Sequence, residues 1–170
     1  MKKNRVNFES VDANGISQII RLAKNIWWTT YPSFLPKSQI EFMLESIYNT
    51  DVISTEIKNN VFWKFITFED NEIGFYSYSK EDDSTLKLHK FYILSEYQRR
   101  GIGKLAIDSL LIIAKSEFLS HIKVNVNRYN QNAINAYLKY GFIISKSVDI
   151  KFHDYILNDY IMTYNILPRS

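Results

Sequence analysis

The chain has 170 residues, 46% of them hydrophobic and 23% charged, with a formal net charge of +3 and no cysteine. That is enough for one domain, spanning 1–170, with a sizeable core, and the balance describes a folded chain and not a disordered one. Disulfides, thiolate metal sites and a cysteine nucleophile are excluded, the charge is too mild and too mixed to argue for nucleic acid, and no long apolar run predicts a membrane span.

The N-terminal Met1 to Glu9 lacks the apolar core of a signal peptide, so a cytoplasmic protein is the default expectation. Arg5 to Val11 reads as a first strand, after which Asp12 or Asn14 caps a helix carrying Ile16, Ile19, Ile20, Leu22, Ala23 and Ile26. Trp27 to Pro36 reads as a turn-rich segment with four aromatics, and Ser38 as the cap of a second helix bearing Ile40, Phe42, Met43, Leu44 and Ile47. Asp51 to Lys58 adds a short helical turn. Val61 to Phe68 and Ile73 to Ser79 read as paired strands around the polar turn Glu69 to Glu72, followed by a charged loop from Lys80 to Ser84. From Leu86 to Leu94 the residues alternate, with Leu88, Tyr92 and Leu94 on one face and Lys87, His89, Phe91 and Ile93 on the other. From Lys104 the spacing turns helical, with Leu105, Ile107, Leu110, Leu111, Ile113 and Ala114 as its stripe. His121 to Asn127 is a strand, Asn130 to Tyr140 a helix stopped by Gly141, and Phe142 to Ile150 and Tyr155 to Ile166 are two closing strands. Strands that follow one another directly in both halves predict an αβ domain with a mixed, largely antiparallel sheet and helices on its faces.

The chemistry concentrates between the strand at Leu86 and the helix at Lys104. The loop Ser95 to Gly103 holds two glycines and two arginines, and the following helix aims its N-terminal N–H groups and dipole at the same place. Together with a basic patch at Lys90, Arg99, Arg100 and Lys104 this makes an anion cradle suited to a pyrophosphate, although Gly-x-Gly by itself suits an ordinary tight turn equally well. The loop is not a Walker A sequence. Ala106 stands where the dinucleotide fingerprint has its third glycine or alanine, but the loop comes late in the chain and no acidic ribose-binding residue follows.

Two segments jointly resemble the GNAT superfamily of acyl-CoA-dependent N-acetyltransferases. Gln98-Arg99-Arg100-Gly101-Ile102-Gly103 is similar to its Gln/Arg-x-x-Gly-x-Gly/Ala loop, and Asn130 to Phe142 to its Asn-x-x-Ala-x-x-x-Tyr-x-x-x-Gly-Phe helix. The gap between them holds one helix and one strand, as that fold demands, and the closing Asp159-Tyr160-Ile161-Met162 resembles a PaiA-type polyamine-acetylating subgroup. The resemblance implies a GNAT fold with a splayed central strand pair, acetyl-CoA as co-substrate and no metal. It also implies that the backbone N–H groups of Arg99, Arg100, Gly101, Ile102, Gly103 and Lys104 bind the coenzyme A pyrophosphate. Phe91, Tyr92 and Ile93 would pair with the pantetheine, and Asn130 and Lys139 would hold the cofactor from the second motif, although Lys139 also suits a solvated face.

An alkylamine near pKa 10.4 is almost entirely protonated at pH 7, so transfer needs its proton removed, its target carbonyl polarised and a proton for the leaving thiolate. Tyr137 stands where GNAT enzymes place that donor, with a core tyrosine as the alternative. For the base, family branches place a glutamate where this chain has Lys87 or Asn125. His89 matches a histidine of arylalkylamine acetyltransferases, and proton relay through solvent competes with it. Trp27, Trp28 and Tyr31 are the expected acceptor-binding residues, aromatics suiting a cation, with Glu41 and Glu45 as further attractors for a polyamine. The expected function is direct acetyl transfer to a primary amine of a small molecule, polyamines first. The alternatives are acetylation of a protein N-terminus or lysine, and an acyl-CoA-binding regulatory module without turnover. No nucleic acid or membrane partner is expected, and a homodimer is open.

Overall fold

In the computed structural model, which describes residues 5–166, the first strand β1 (Val6–Ser10) leads to Asp12. Its carboxylate accepts from the Asn14 N–H at 2.9 Å and opens a 3-10 turn, so Asp12 and not Asn14 is the cap. Helix α1 (Ile16–Thr30) follows and buries Ile16, Ile19, Leu22, Ala23, Ile26 and Trp27. It runs through Trp27 to Thr30, where the sequence suggested a turn. Trp27 lies four residues after Ala23 and extends the same buried stripe, which outweighs the poor helix propensity of the aromatic and threonine residues. Pro36, not Ser38, stands at the N-cap of α2 (Lys37–Ile47), with φ −61° and ψ 146°, and Ser38 lies inside the helix. Asn49 caps α3 (Thr50–Lys58), its side chain accepting from the Val52 N–H at 2.9 Å.

Strands β2 (Phe62–Phe68) and β3 (Asn71–Lys80) form a hairpin closed by Glu69 and Asp70, at φ 50° and 67°. Positive φ at both central residues matches the right-handed twist of the flanking strands. Ile73 to Tyr78 are buried in succession. Because neighbouring side chains point to opposite faces, both faces of β3 are covered. Gly74 is required where β3 meets the next strand, β4 (Thr85–Ile93), since an added Cβ would lie 2.3 Å from the Tyr92 carbonyl oxygen.

Helix α4 (Ile102–Ser116) begins two residues earlier than its pattern suggested. Ile102, Ala106, Ile107, Leu110 and Ala114 are buried, at a spacing of three or four. Leu105, assigned to the stripe from sequence, falls off this file and is 48% exposed. β5 (His121–Asn127) buries Ile122, Val124 and Val126. After α5 (Gln131–Tyr140), Gly141 at φ 104° lets its own N–H reach the Leu138 carbonyl and the Phe142 N–H reach the Tyr137 carbonyl. That paired closure needs a left-handed residue, hence glycine. β6 (Ile143–Phe152) and β7 (Tyr155–Asn165) complete the elements.

The strand order is β1-β2-β3-β4-β5-β7-β6. The registers β1–β2, β2–β3, β5–β7 and β6–β7 are antiparallel and β4–β5 is parallel. The sheet is thus mixed and mostly antiparallel, as the sequence predicts. The parallel register covers Thr85↔His121 to Leu88↔Val124, while β4 continues to Ile93 and β5 to Asn127, the mark of a split central pair. The described chain divides into two compact units, residues 5–79 with 90–106 and residues 80–89 with 107–166.

Candidate functional site

In the first unit the first half of the loop is tied down. The Leu94 N–H donates to the Ile73 carbonyl at 2.8 Å, and the Gln98 side-chain amide donates to the Ile93 carbonyl at 2.9 Å. Gln98, recognised from sequence only as a motif letter, therefore works as the anchor that folds the loop back on β4. Next, Arg99 and Gly101 adopt φ 58° and 79°, with no positive φ at Arg100 between them. Alternation of this kind turns successive N–H groups toward one concavity, an anion-binding nest. A Cβ placed on Gly101 would meet nothing within 4 Å, so the glycine is needed for its left-handed φ and not for space. The Leu105 N–H reaches back to the Gly101 carbonyl at 3.2 Å, and the N–H groups of Ile102, Gly103 and Lys104 precede it in the first turn of a 15-residue helix. These features fit a pyrophosphate.

The basic patch is smaller than the sequence suggested. Arg99, Arg100 and Lys104 are exposed, with the Arg100 guanidinium 5.2 Å from the centre of the Tyr97 ring. Lys90 is instead turned away, its ammonium 3.4 Å from Glu56 and 5.6 Å from the centre of the Trp63 ring, and its side chain only 15% exposed. Burial with a carboxylate and an indole face to hand outcompetes a loose surface position.

Of the β4 residues expected to face a pantetheine, Ile93 is buried and the Phe91 ring meets Tyr76 edge-on at 6.5 Å. Tyr92 shares its hydroxyl with that of Tyr31 at 2.9 Å and packs its ring against Trp27 and Phe75. The three expected acceptor residues therefore separate. Trp27 is 6% exposed and lies among Tyr31, Tyr48 and Tyr92, and Tyr31 is buried beside it. Trp28, 39% exposed, lines an open groove of about 570 Å³ with Lys24, Glu41, Glu45, Tyr48 and Asn49. Burial, with Tyr92 nearby, pushes the Tyr48 hydroxyl well above the usual phenol range. Nothing in the sequence marked Tyr48, because its position depends on how α1 and α2 pack.

In the second unit Tyr137 is 6% exposed on α5, its ring edge-on to Tyr140 and Phe142. Asn130 caps that helix, its side-chain oxygen accepting from the Ala133 N–H at 3.1 Å, and Lys139 is exposed. On β4, His89 is exposed and Lys87 is half-buried. Lys87 donates to the Asn125 side-chain oxygen on β5, and the Asn125 amide donates to Asp159 on β7 at 3.3 Å. Burial lowers the Lys87 ammonium below the usual lysine range and raises the Asp159 carboxyl above the usual carboxylate range. Lys87 and Asn125 are thus joined to a carboxylate one strand further on. Sequence reasoning missed this contact, which depends on strand register and not on spacing along the chain.

The model of the acetyltransferase (GNAT) family matches residues 20–142, which span the loop and α5. The chain belongs to this family. GNAT proteins are acyltransferases that draw the acyl group from acetyl-CoA, and the loop geometry above fits that co-substrate. Among solved structures, PaiA N-acetyltransferase from Thermoplasma acidophilum, in complex with coenzyme A, is similar at TM-score 0.81 and 20% identity, over 95% of this chain and 99% of that one. A GCN5-related N-acetyltransferase from Rhodopseudomonas palustris is similar at TM-score 0.80 and 14% identity, over 98% and 99%. A GNAT acetyltransferase from Elizabethkingia anophelis with acetyl-CoA bound is similar at TM-score 0.62 and 15% identity, over 96% and 100%. At these identities the likeness speaks for the GNAT fold.

Proposed function

We propose that this GNAT enzyme, as one domain over residues 1–170, transfers an acetyl group directly from acetyl-CoA to a primary amine of a small molecule, polyamines first. The observation that carries the co-substrate is the nest at Arg99 to Gly101 opening onto the first turn of α4. In this reading the N–H groups of Arg99 to Lys104 hold the pyrophosphate, and the main chain of Phe91 to Ile93 pairs with the pantetheine. Asn130 steadies the cofactor from the head of α5, and Lys139, exposed on the same helix, adds a phosphate contact. Bound acetyl-CoA supplies the activated acyl carbon. Tyr137 gives the thiolate its proton, and the amine loses its own to a side chain or through solvent, His89 being the β4 residue expected from sequence to take it.

The acceptor class rests on the groove beside Trp28, where an exposed indole and the carboxylates of Glu41 and Glu45 suit an alkylammonium. Thiol release measured over a panel of polyamines, other amines and peptides tests the reading. The expected result is turnover with polyamines. Turnover with peptides alone would replace this acceptor with a protein N-terminus or lysine, and tight coenzyme A binding with no turnover would make the chain a regulatory binding module.

A further inference from the structure

This inference rests on the acetyltransferase reading and concerns the proton that the acceptor must lose. In the second unit, β4, β5 and β7 present Lys87, Lys123, Asn125 and Asp159 on one face. Lys87 is in register with Lys123, Asn125 lies two residues further along β5, and Asp159 pairs with Asn127. The opposite face carries the buried Leu86, Leu88, Ile122, Val124, Val126 and Met162. Hydrogen bonds run without a break from Lys87 to Asn125 and from Asn125 to Asp159. The charged groups that bear on this file are Glu81, whose carboxylate is 3.5 Å from the Lys123 ammonium, and Arg128 just beyond β5, which is itself engaged with Asp149 at 2.6 Å.

We propose that Asp159, held by Asn125 and Lys87, is the carboxylate that takes the proton of the acceptor amine. The substrate ammonium gives one proton to the Asp159 carboxylate, directly or through one water, leaving a neutral amine and a neutral carboxylic acid. The amine lone pair then forms the carbon–nitrogen bond as the carbon–sulfur bond breaks and the electron pair leaves on sulfur. The second proton lost from nitrogen ends on that sulfur by way of Tyr137, and Asp159 returns its own proton to solvent. A carboxyl raised by burial is matched to this task, since a base works best near the working pH. Asn125 and Lys87 are positioning residues: the amide fixes the carboxylate, and the cation keeps its value from climbing further.

The test is the pH profile of thiol release in full-length Asp159→Asn. The expected result is a fall in kcat of about 100-fold or more at neutral pH, loss of the acid limb, recovery toward high pH where the amine deprotonates itself, and an unchanged KM for acetyl-CoA. The swap N125D/D159N, which moves the carboxylate one strand over, should regain part of the lost rate. Independently of turnover, the carbon-13 signal of the Asp159 carboxyl should titrate above the ordinary value of about 3.9, and higher still in Lys87→Met. A wild-type profile in Asp159→Asn, an ordinary titration of Asp159, or an acid limb that disappears in His89→Gln instead would overturn the assignment to Asp159 and leave the acetyltransferase reading standing. No thiol release by the wild-type enzyme with any amine would overturn both.

Discussion

At Gly74 an added Cβ would press to 2.3 Å from the Tyr92 carbonyl oxygen, while at Gly101 it would meet nothing, so the two glycines serve different ends. Gly74→Ala should destabilise the fold by about 1–3 kcal/mol in denaturant unfolding, through overpacking against backbone that cannot give. Gly101→Ala clashes with nothing but holds φ at 79°, which costs an alanine about 1–2 kcal/mol. The loop should relax away from that conformation, raising the KM for acetyl-CoA well before the melting temperature moves. Tyr137→Phe should lower kcat by about 100-fold or more with little change in coenzyme A affinity by calorimetry. An unchanged kcat would leave Tyr137 as a core residue, as its packing between Tyr140 and Phe142 also allows. The loop and α5 were legible in the sequence because both are local, each motif and its geometry lying within a few consecutive residues. Gln98 was legible as a letter but not as an anchor, since its partner is the Ile93 carbonyl.

Among the elements, α1 shows how burial overrides local signals. The sequence puts Trp27 at the start of a turn-rich segment, yet the helix continues to Thr30 because the indole completes a buried stripe. Trp27→Ala should cost about 3–5 kcal/mol, measured by thermal unfolding. The three-strand file invites a double-mutant cycle. The Asp159 carboxyl is raised in the fold, so its contribution to stability is complete below its ordinary value of about 3.9 and is lost as the pH rises through the raised value. The Lys87 ammonium is lowered, so its contribution is complete above about 10.4 and is lost as the pH falls through the lowered value. In each case the effect of burial is opposed by the charge of the other group. Removing one alone in Lys87→Met or Asp159→Asn should therefore destabilise more than removing both in the double variant, a coupling read from unfolding at pH 7. Equal additive losses would show that the groups do not interact. Such pairings across strands are invisible to one-dimensional patterns, which is why Lys87 and Asn125 read from sequence only as missing bases.

For the molecule as a whole, the sequence supported the order of elements, the sheet type and the family, because alternation, helical spacing and turn residues act on the scale of one element each. It could not show which aromatic of Trp27 and Trp28 faces solvent, or that Lys90 pairs with Glu56, since both depend on elements meeting after the chain has folded. The contrast between β3 and β6 has a consequence of its own. β3 is buried along six consecutive residues, whereas β6 stands at the sheet edge with Ile143, Ile144 and Ile150 all exposed. Placed in deuterated water, the chain should take up label unevenly. Amides of β6 that have no partner strand should exchange within seconds, while those of Ile73 to Tyr78 should hold their protons until the unit around them opens entirely. The slowest amides would then measure the full unfolding free energy without any denaturant.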